Sequence, residues 1–388
     1  MRSRTVAYSE LTSYPANGEI TKMTGIIHGS RTFAILVCIA LAGVSSATAQ
    51  LKGQYQPGQY GLNAGVLPDP GFTYADLNLN YNAGQLNLAS GTPTRVKGSF
   101  NVWAVENIFF YVPKFKVFGA KFAPFIAFPT LATGSLTLPF LGNGVTAGTG
   151  GLGLADTWFQ LANLGWHLPR ADVWTAYAFM APTGRYTPGA TNNIGSGYWG
   201  NDFTGGGTFY LTKDMGTTAN FMGNWEIHGE KTTRSTDIST MFGTLPINVQ
   251  VTPGAAFTDE WGLGQAIPLN RPFLKTKNIT KVAQLGLIGY DQAQVSRTTS
   301  SNRIVDAYQR LLPFYYVHAG GVQANYIDLA HAWNVFFKYE KEYRAEAHPK
   351  GTTIVFGVVY TFRIPKPVVK PNPQGAAGNL SVDRETQP

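Results

Sequence analysis

The sequence predicts an all-β fold: a transmembrane antiparallel β-barrel of about twelve strands, with a plug-like segment ahead of the first strand. Three observations predict it. Near the C-terminus Ile354, Phe356, Val358, Tyr360 and Phe362 alternate with Val355, Gly357, Val359 and Thr361. One face of that strand is therefore bulky and apolar and the other small, and its length suits the roughly 9–11 residues that a tilted strand needs to cross a bilayer. Charged residues make up only 13% of the chain, while glycine (44 residues) and aromatics (13%) are abundant. Soluble domains carry about 25% charged residues, and a membrane barrel spreads its apolar signal over alternate positions. The strand candidates are also even in number, and the links between them alternate in length, as short periplasmic turns and long external loops do.

Taken in order, residues 1–49 read as a secretory signal. Arg31 precedes the apolar run from Phe33 to Ala42, and Ala47-Thr48-Ala49 has the form of a cleavage site. The run is shorter than the about 20 residues a spanning helix needs. Met23 is an alternative start, and Val37 before Cys38 argues against a lipidation box. Cys38 is the single cysteine, so the exported chain has no disulfide and no thiolate metal site. The formal charge of +8 is spread without Lys/Arg runs, which gives little reason to expect nucleic acid.

Residues 50–70 carry Pro57-Gly58, Gly61, Gly65, Pro68 and Pro70-Gly71 rather than a strand pattern. Their apolar members Tyr55, Tyr60, Leu62, Val66 and Leu67 suit a sheltered plug better than a periplasmic tail. The first strand is expected over 72–82, with an apolar phase that switches between Tyr74 and Leu77 as at a bulge. The second covers 98–112 and the third 115–129, with Phe118, Ala120, Phe122, Ile126 and Phe128 on one face. The fourth to seventh cover 152–168, 171–181, 202–212 and 217–230. In the seventh, Phe221, Gly223, Trp225 and Ile227 alternate with Asn220, Met222, Asn224, Glu226 and His228, so it reads as apolar outside and polar inside. The remainder cover 254–268, 278–295, 312–325, 332–345 and 354–362. Fourteen is the alternative count. Links after strands two, four and six read as short, and those after one, three, five, seven and nine as long, which puts both termini in the periplasm. The barrel would end at residue 363, and the Pro-rich 364–388 reads as a disordered tail.

Enzymatic chemistry finds no frame. His167, His228, His318, His331 and His348 show no metal-ligand spacing, and there is no H-E-x-x-H, G-x-S-x-G, Rossmann or P-loop pattern. The expectation is a non-enzyme with no cofactor and no metal. The informative polar groups are Glu106, Asp156, Glu226, His228, Lys338 and Glu340. They would be costly against lipid and are placed in the lumen, either as a salt-bridge network filling a narrow barrel or as a constriction that orients a solute.

Several stretches resemble a known family. They are Gly65-Val66-Leu67-Pro68-Asp69-Pro70-Gly71-Phe72, Gly153-Leu154-Ala155-Asp156, Pro182-Thr183-Gly184-Arg185-Tyr186 and Asn193 through Trp199. In order and spacing the chain resembles, over about 53–363, the outer-membrane transporter family labelled meta-pathway phenol degradation protein. The resemblance implies an outer-membrane channel linked to catabolism of aromatic or other hydrophobic compounds. The reading is therefore a monomeric barrel in the bacterial outer membrane that passes small hydrophobic, including aromatic, solutes by diffusion. Its partners would be outer-membrane lipid, such solutes and the barrel-assembly machinery. The alternative is a structural or surface-interaction barrel that only anchors its loops.

Overall fold

Strand alternation governs the chain from Gly71 to Arg363. The computed structural model describes residues 54–133, 136–140, 143–147, 151–188, 190, 193–234, 248–269 and 280–363. The expected signal and Pro-rich tail lie outside the described residues. Twelve antiparallel strands form the wall: β1 Gly71–Asn87, β2 Pro93–Val112, β3 Phe125–Thr133, β4 Thr157–Leu168, β5 Ala171–Ala181 and β6 Gly200–Tyr210, then β7 Thr217–His228, β8 Ala256–Pro268, β9 Lys281–Gln294, β10 Tyr316–Asp328, β11 Trp333–Glu346 and β12 Pro349–Arg363. Each pairs with its sequence neighbour, and β12 returns to β1 with Gly71 opposite Arg363 and Phe72 opposite Phe362. The β3–β4 pairing is the narrowest, from Phe125↔Gln160 to Ala127↔Trp158. Short strands widen it: Ala120–Phe122 adds to β4 and Leu152–Leu154 to β3.

Outside is apolar. Phe221, Trp225, Phe337, Ile354, Phe356 and Phe362 are exposed, while Met222, Glu226, Lys338 and Val355 between them are buried. Rings cluster at the end where β1 begins: Phe72 lies 6.1 Å from Phe109 and 5.8 Å from Phe362, and Trp333 lies 5.0 Å from Tyr360. Such aromatic girdles mark the bilayer interface.

Three expectations are corrected. The third strand begins at Phe125, because Phe118 and Gly119 (φ 49° and 75°) turn the preceding stretch into a hairpin of Lys116–Val117 with Ala120–Phe122. Phe118, at the tip, is 88% exposed. The first link is short, because β1 and β2 run on past their expected ends to a turn over 88–92 with Gly91 at φ 75°. The links 134–156, 182–199, 229–255 and 295–315 are long and share one end of the barrel, and the turn 347–348 joins β11 to β12 there. Between β9 and β10 lies a short helix, α1 Arg303–Gln309, with Asn302 Oδ1 accepting from the amides of Ile304 (3.0 Å) and Val305 (3.2 Å). Val305 packs on Val249 and Val251 of a small sheet made from Lys231–Arg234, Asn248–Thr252 and Thr299–Ser300.

The third correction concerns polarity. No bulge separates Tyr74 from Leu77, since the β1–β2 register is unbroken from Gly71↔Val112 to Ala83↔Phe100. The change of phase is an inversion of faces. Leu79 and Tyr81 are buried inward and Leu77 shares their face, whereas Asn80 and Asn82 are exposed and share the outer face with Asp76 and Asn78. On β2, Val102, Ala104 and Ile108 are likewise buried inward. The Leu77–Asn82 half of β1 thus carries apolar groups inside and amides outside, while β2 keeps Trp103 and Tyr111 exposed on its outer face.

Candidate functional site

Residues 54–65 lie inside the barrel, hydrogen-bonded to inward side chains of seven strands. The Glu260 carboxylate on β8 is the centre. One oxygen accepts from the Tyr55 hydroxyl (2.6 Å) and the amides of Gly58 (2.8 Å) and Gln59 (3.1 Å). The other accepts from the amides of Tyr60 (2.8 Å) and Gly61 (3.2 Å). Lys338 on β11 donates to the carbonyls of Gly58 (2.8 Å) and Gln59 (2.6 Å). The same turn is therefore held by an anion on its amides and a cation on its carbonyls, the charge-assisted bonds that a buried backbone most favours.

Lower in the segment the partners are amides and a hydroxyl. Leu62 N donates to Gln323 (2.9 Å) and Asn63 N to Asn220 (3.0 Å), while the side chains of Asn63 and Gln284 exchange two bonds (2.7 and 2.9 Å). Thr208 Oγ1 donates to Ala64 O (2.7 Å). Gly58 and Gly65 stand at φ 87° and 84°, and a Cβ there would collide with Glu340 and Trp174. The positive φ favours glycine at both, and at Gly65 the Trp174 ring and the Asp172 carbonyl also leave no room for a side chain.

At the long-link end Glu226 Oε1 accepts from the amides of Gln54 and Tyr55, and His228 Nε2 lies 2.6 Å from the same oxygen. His228 Nδ1 lies 2.9 Å from Gly254 O. Asp156 accepts from the amides of Gly184 (3.0 Å) and Ser196 (2.7 Å), and Gln54 Nε2 donates to Ser196 Oγ (2.5 Å). Three of the stretches quoted for the family resemblance thus meet on one carboxylate. Above them Lys231 Nζ sits over the rings of Tyr186 (5.8 Å) and Tyr198 (5.3 Å). Burial pushes the Lys231 ammonium down to about 8, against the opposing pull of Asp156.

Of the polar candidates, Glu226 and Lys338 touch the inner segment directly, and Glu340 borders Gly58. Glu106 meets it through Gln59 Nε2 at 3.4 Å, Asp156 through Gln54, and His228 only by way of Glu226. Tyr55 and Leu62 are buried, and Tyr60 packs on Trp174 with ring centroids 4.9 Å apart. Leu67 O accepts from Lys121 (3.1 Å), and Val66 is 47% exposed at the short-turn mouth, where the segment leaves the lumen. Glu260, the best-connected group, escaped sequence reading because Asp259 beside it blurs the alternation. Gln54 stands at the long-link end, since the segment crosses the lumen to reach Gly71 at the other.

To one side of the segment is a cavity of about 100 Å³, bordered by Leu77, Val102, Glu106, Trp158, Ile194 and Val355 among others.

A solved outer-membrane channel shares this architecture. The COG4313 outer membrane channel from Pseudomonas putida F1 superposes with a TM-score of 0.59 at 12% identity, over 79% of this chain and 100% of that one. The β domain of the Bordetella autotransporter BrkA gives 0.47 at 13% identity, over 76% of this chain and 100% of its own. A mutant of the TodX monoaromatic hydrocarbon channel gives 0.40 at 11%, over 77% and 92%. No curated protein matches the sequence. The closed barrel, apolar outside and girdled by aromatics, is that of a bacterial outer-membrane protein. The model of the family described as "Putative MetA-pathway of phenol degradation" matches residues 83–357, most of the chain, and the chain belongs to that family.

Proposed function

We propose that this barrel is an outer-membrane channel for passive uptake of small hydrophobic compounds, aromatic ones included, with residues 54–70 as the plug that closes it. One observation carries the reading: the inner segment is held by polar groups on one side and leaves an apolar-walled cavity on the other. Water and ions are denied a continuous path, while an apolar solute has a surface to follow. Twelve strands enclose more than the side-chain-filled interior of an eight-stranded barrel and less than an open porin, so a single inner segment suffices to fill the difference. The long links at the Gln54 end would face the medium. The polar inner side chains act as clamps on the plug, and no bond-making chemistry is required of them.

The test is uptake in whole cells, where the outer membrane itself is the barrier. Cells producing the protein should take up labelled benzyl alcohol faster than cells that lack it, and excess toluene should compete. Equal rates in the two strains would refute transport and leave the barrel as an anchor for its loops.

A further inference from the structure

The outer wall carries a trough along β10. The outward residues of that strand are small in its middle, Ala324, Val322 and Gly320, and lead up to His318. Leu285 and Leu287 of β9 stand exposed on one side, and Phe337 and Tyr339 of β11 on the other. Between them is a shallow hollow of about 550 Å³. A Cβ on Gly320 would meet nothing nearer than the Tyr343 ring at 3.9 Å, so the trough stays open toward His318. From Ala324 to His318 the strand climbs about 20 Å, or about 15 Å of depth at barrel tilt, which is one leaflet of a bilayer. The height is set on β9, where the outward Ala283, Leu285, Leu287 and Gly289 are bounded by Lys281 and Asp291. At strand rise and barrel tilt those two lie about 25 Å apart in depth, the height of the apolar band of such barrels. Asp291 therefore marks the headgroup level at the long-link end. A polar row crosses four strands there: Asp259 opposite Asp291, Asp291 opposite His318, and His318 opposite Arg344. Asp291 pairs with His318 Nδ1, and the His318 ring stacks with Tyr343, centroids 6.0 Å apart. Lys341, opposite Gly320, is exposed at the head of the trough. Arg344 donates twice to Glu346 Oε1 (2.8 and 2.5 Å) and keeps a largely exposed guanidinium with donors to spare.

We propose that this trough binds one molecule of the phosphorylated, multiply acylated glycolipid of the outer leaflet. One acyl chain fills the hollow between Leu285, Leu287 and Phe337. Lys341 and Arg344 hold a phosphate by charge-assisted bonds. Asp259 and Asp291, which can only accept when ionised, take hydroxyls of the sugar head. The width of the row decides between headgroups. From Asp259 to Arg344 are three strand spacings, about 14 Å, which a disaccharide with phosphates can bridge and a phosphoethanolamine head cannot. A head of phosphate alone would leave the two carboxylates facing like charge. The site takes from the proposed function only the orientation, long links toward the medium, and does not depend on conduction through the lumen.

The experiment is native mass spectrometry of the mature barrel, extracted from outer membranes, stripped of lipid and titrated with three probes. These are bisphosphorylated hexa-acyl lipid A, the same lipid without its phosphates, and phosphatidylethanolamine. The wild type should retain one lipid A, and each of the other two about ten-fold more weakly or less. Lys341→Ala combined with Arg344→Ala should weaken lipid A by at least about ten-fold, whereas Lys281→Ala, at the opposite end of β9, should leave it unchanged. Ala324→Trp, which fills the trough, should abolish retention while the barrel keeps its heat-dependent gel shift. Should that variant fail to assemble, Val322→Trp serves the same purpose. Three results would each overturn the proposal. The first is phosphatidylethanolamine held as tightly as lipid A. The second is lipid A held unchanged by the double variant or by an assembled trough-filled barrel. The third is a dimer of barrels that Ala324→Trp dissolves, which would assign the trough to a second copy of the chain.

Discussion

Replacing Glu260 by Gln probes the clamp most directly. The carboxylate accepts five bonds from the inner segment, three on one oxygen and two on the other. An amide keeps one accepting oxygen and turns the other position into a donor. At least the two bonds from Tyr60 and Gly61 are lost, and their amides then face an NH₂ group. Bonds to a charged acceptor contribute about 1.5–3 kcal/mol each, so the docked state loses about 3–6 kcal/mol before relaxation. Lys338 also loses the negative partner across the turn it holds. The ratio of docked to released segment should fall by about two to four powers of ten. Single-channel recording on the purified variant should show more frequent and larger openings, with assembly confirmed by the heat-dependent gel shift. An assembled Glu260→Gln barrel with the conductance of the wild type would refute the clamp, because the released state would then be no more open than the docked one.

Three further outcomes are expected. Deleting 51–66 behind an intact signal should raise conductance without preventing assembly, and a cysteine at Lys338 should react with a small polar thiol reagent only in that deletion, since Lys338 is otherwise buried against Gly58 and Gln59. The rate of Lys231 acylation should titrate with a midpoint near pH 8, and Asp156→Asn should move it lower. The sign follows from linkage: the folded value is depressed, so the loops around Lys231 are least stable below pH 8 and gain stability from there up to the unfolded value of about 10.4. Asn80→Leu on the outer face of β1 should stabilise the barrel in bilayers by about 1–3 kcal/mol, measured by denaturant unfolding, because it removes an amide that faces lipid. A loss of stability would show that this face is covered by something polar.

Most of the fold was legible in the sequence because lumen and lipid impose a strict alternation. The strands around Trp225, Phe337 and Phe356 each state their facing in a few residues. Legibility failed where two rules conflicted. In β1 the alternation persists, but Leu77, Leu79 and Tyr81 stand on the inner face, so a pattern that assumes an apolar exterior inserts a bulge that is absent. Around Phe118 the alternation continues through a hairpin turn and conceals it. The polar set was partly legible: Glu226 and Lys338 stand out against Trp225 and Phe337, whereas Glu260 is hidden by Asp259. What no pattern could show is that one carboxylate collects the amides of a turn two hundred residues earlier in the chain.

The passage of residues 54–70 through the lumen has a kinetic consequence. The wall closes where β12 meets β1, the strand continuous with the inner segment, so its earliest strand waits for its last. Such a closure joins residues far apart in sequence and is slow for entropic reasons. The inner segment bonds to β6, β7, β8, β9, β10 and β11 through Thr208, Asn220, Glu260, Gln284, Gln323 and Lys338. Docked on a half-built sheet, it would hold its own end, and therefore β1, close to strands made later, and curl the sheet toward its missing edge. In this view the segment acts during assembly as a mandrel around which the wall is wrapped, and a barrel without it should close more slowly even where it closes completely.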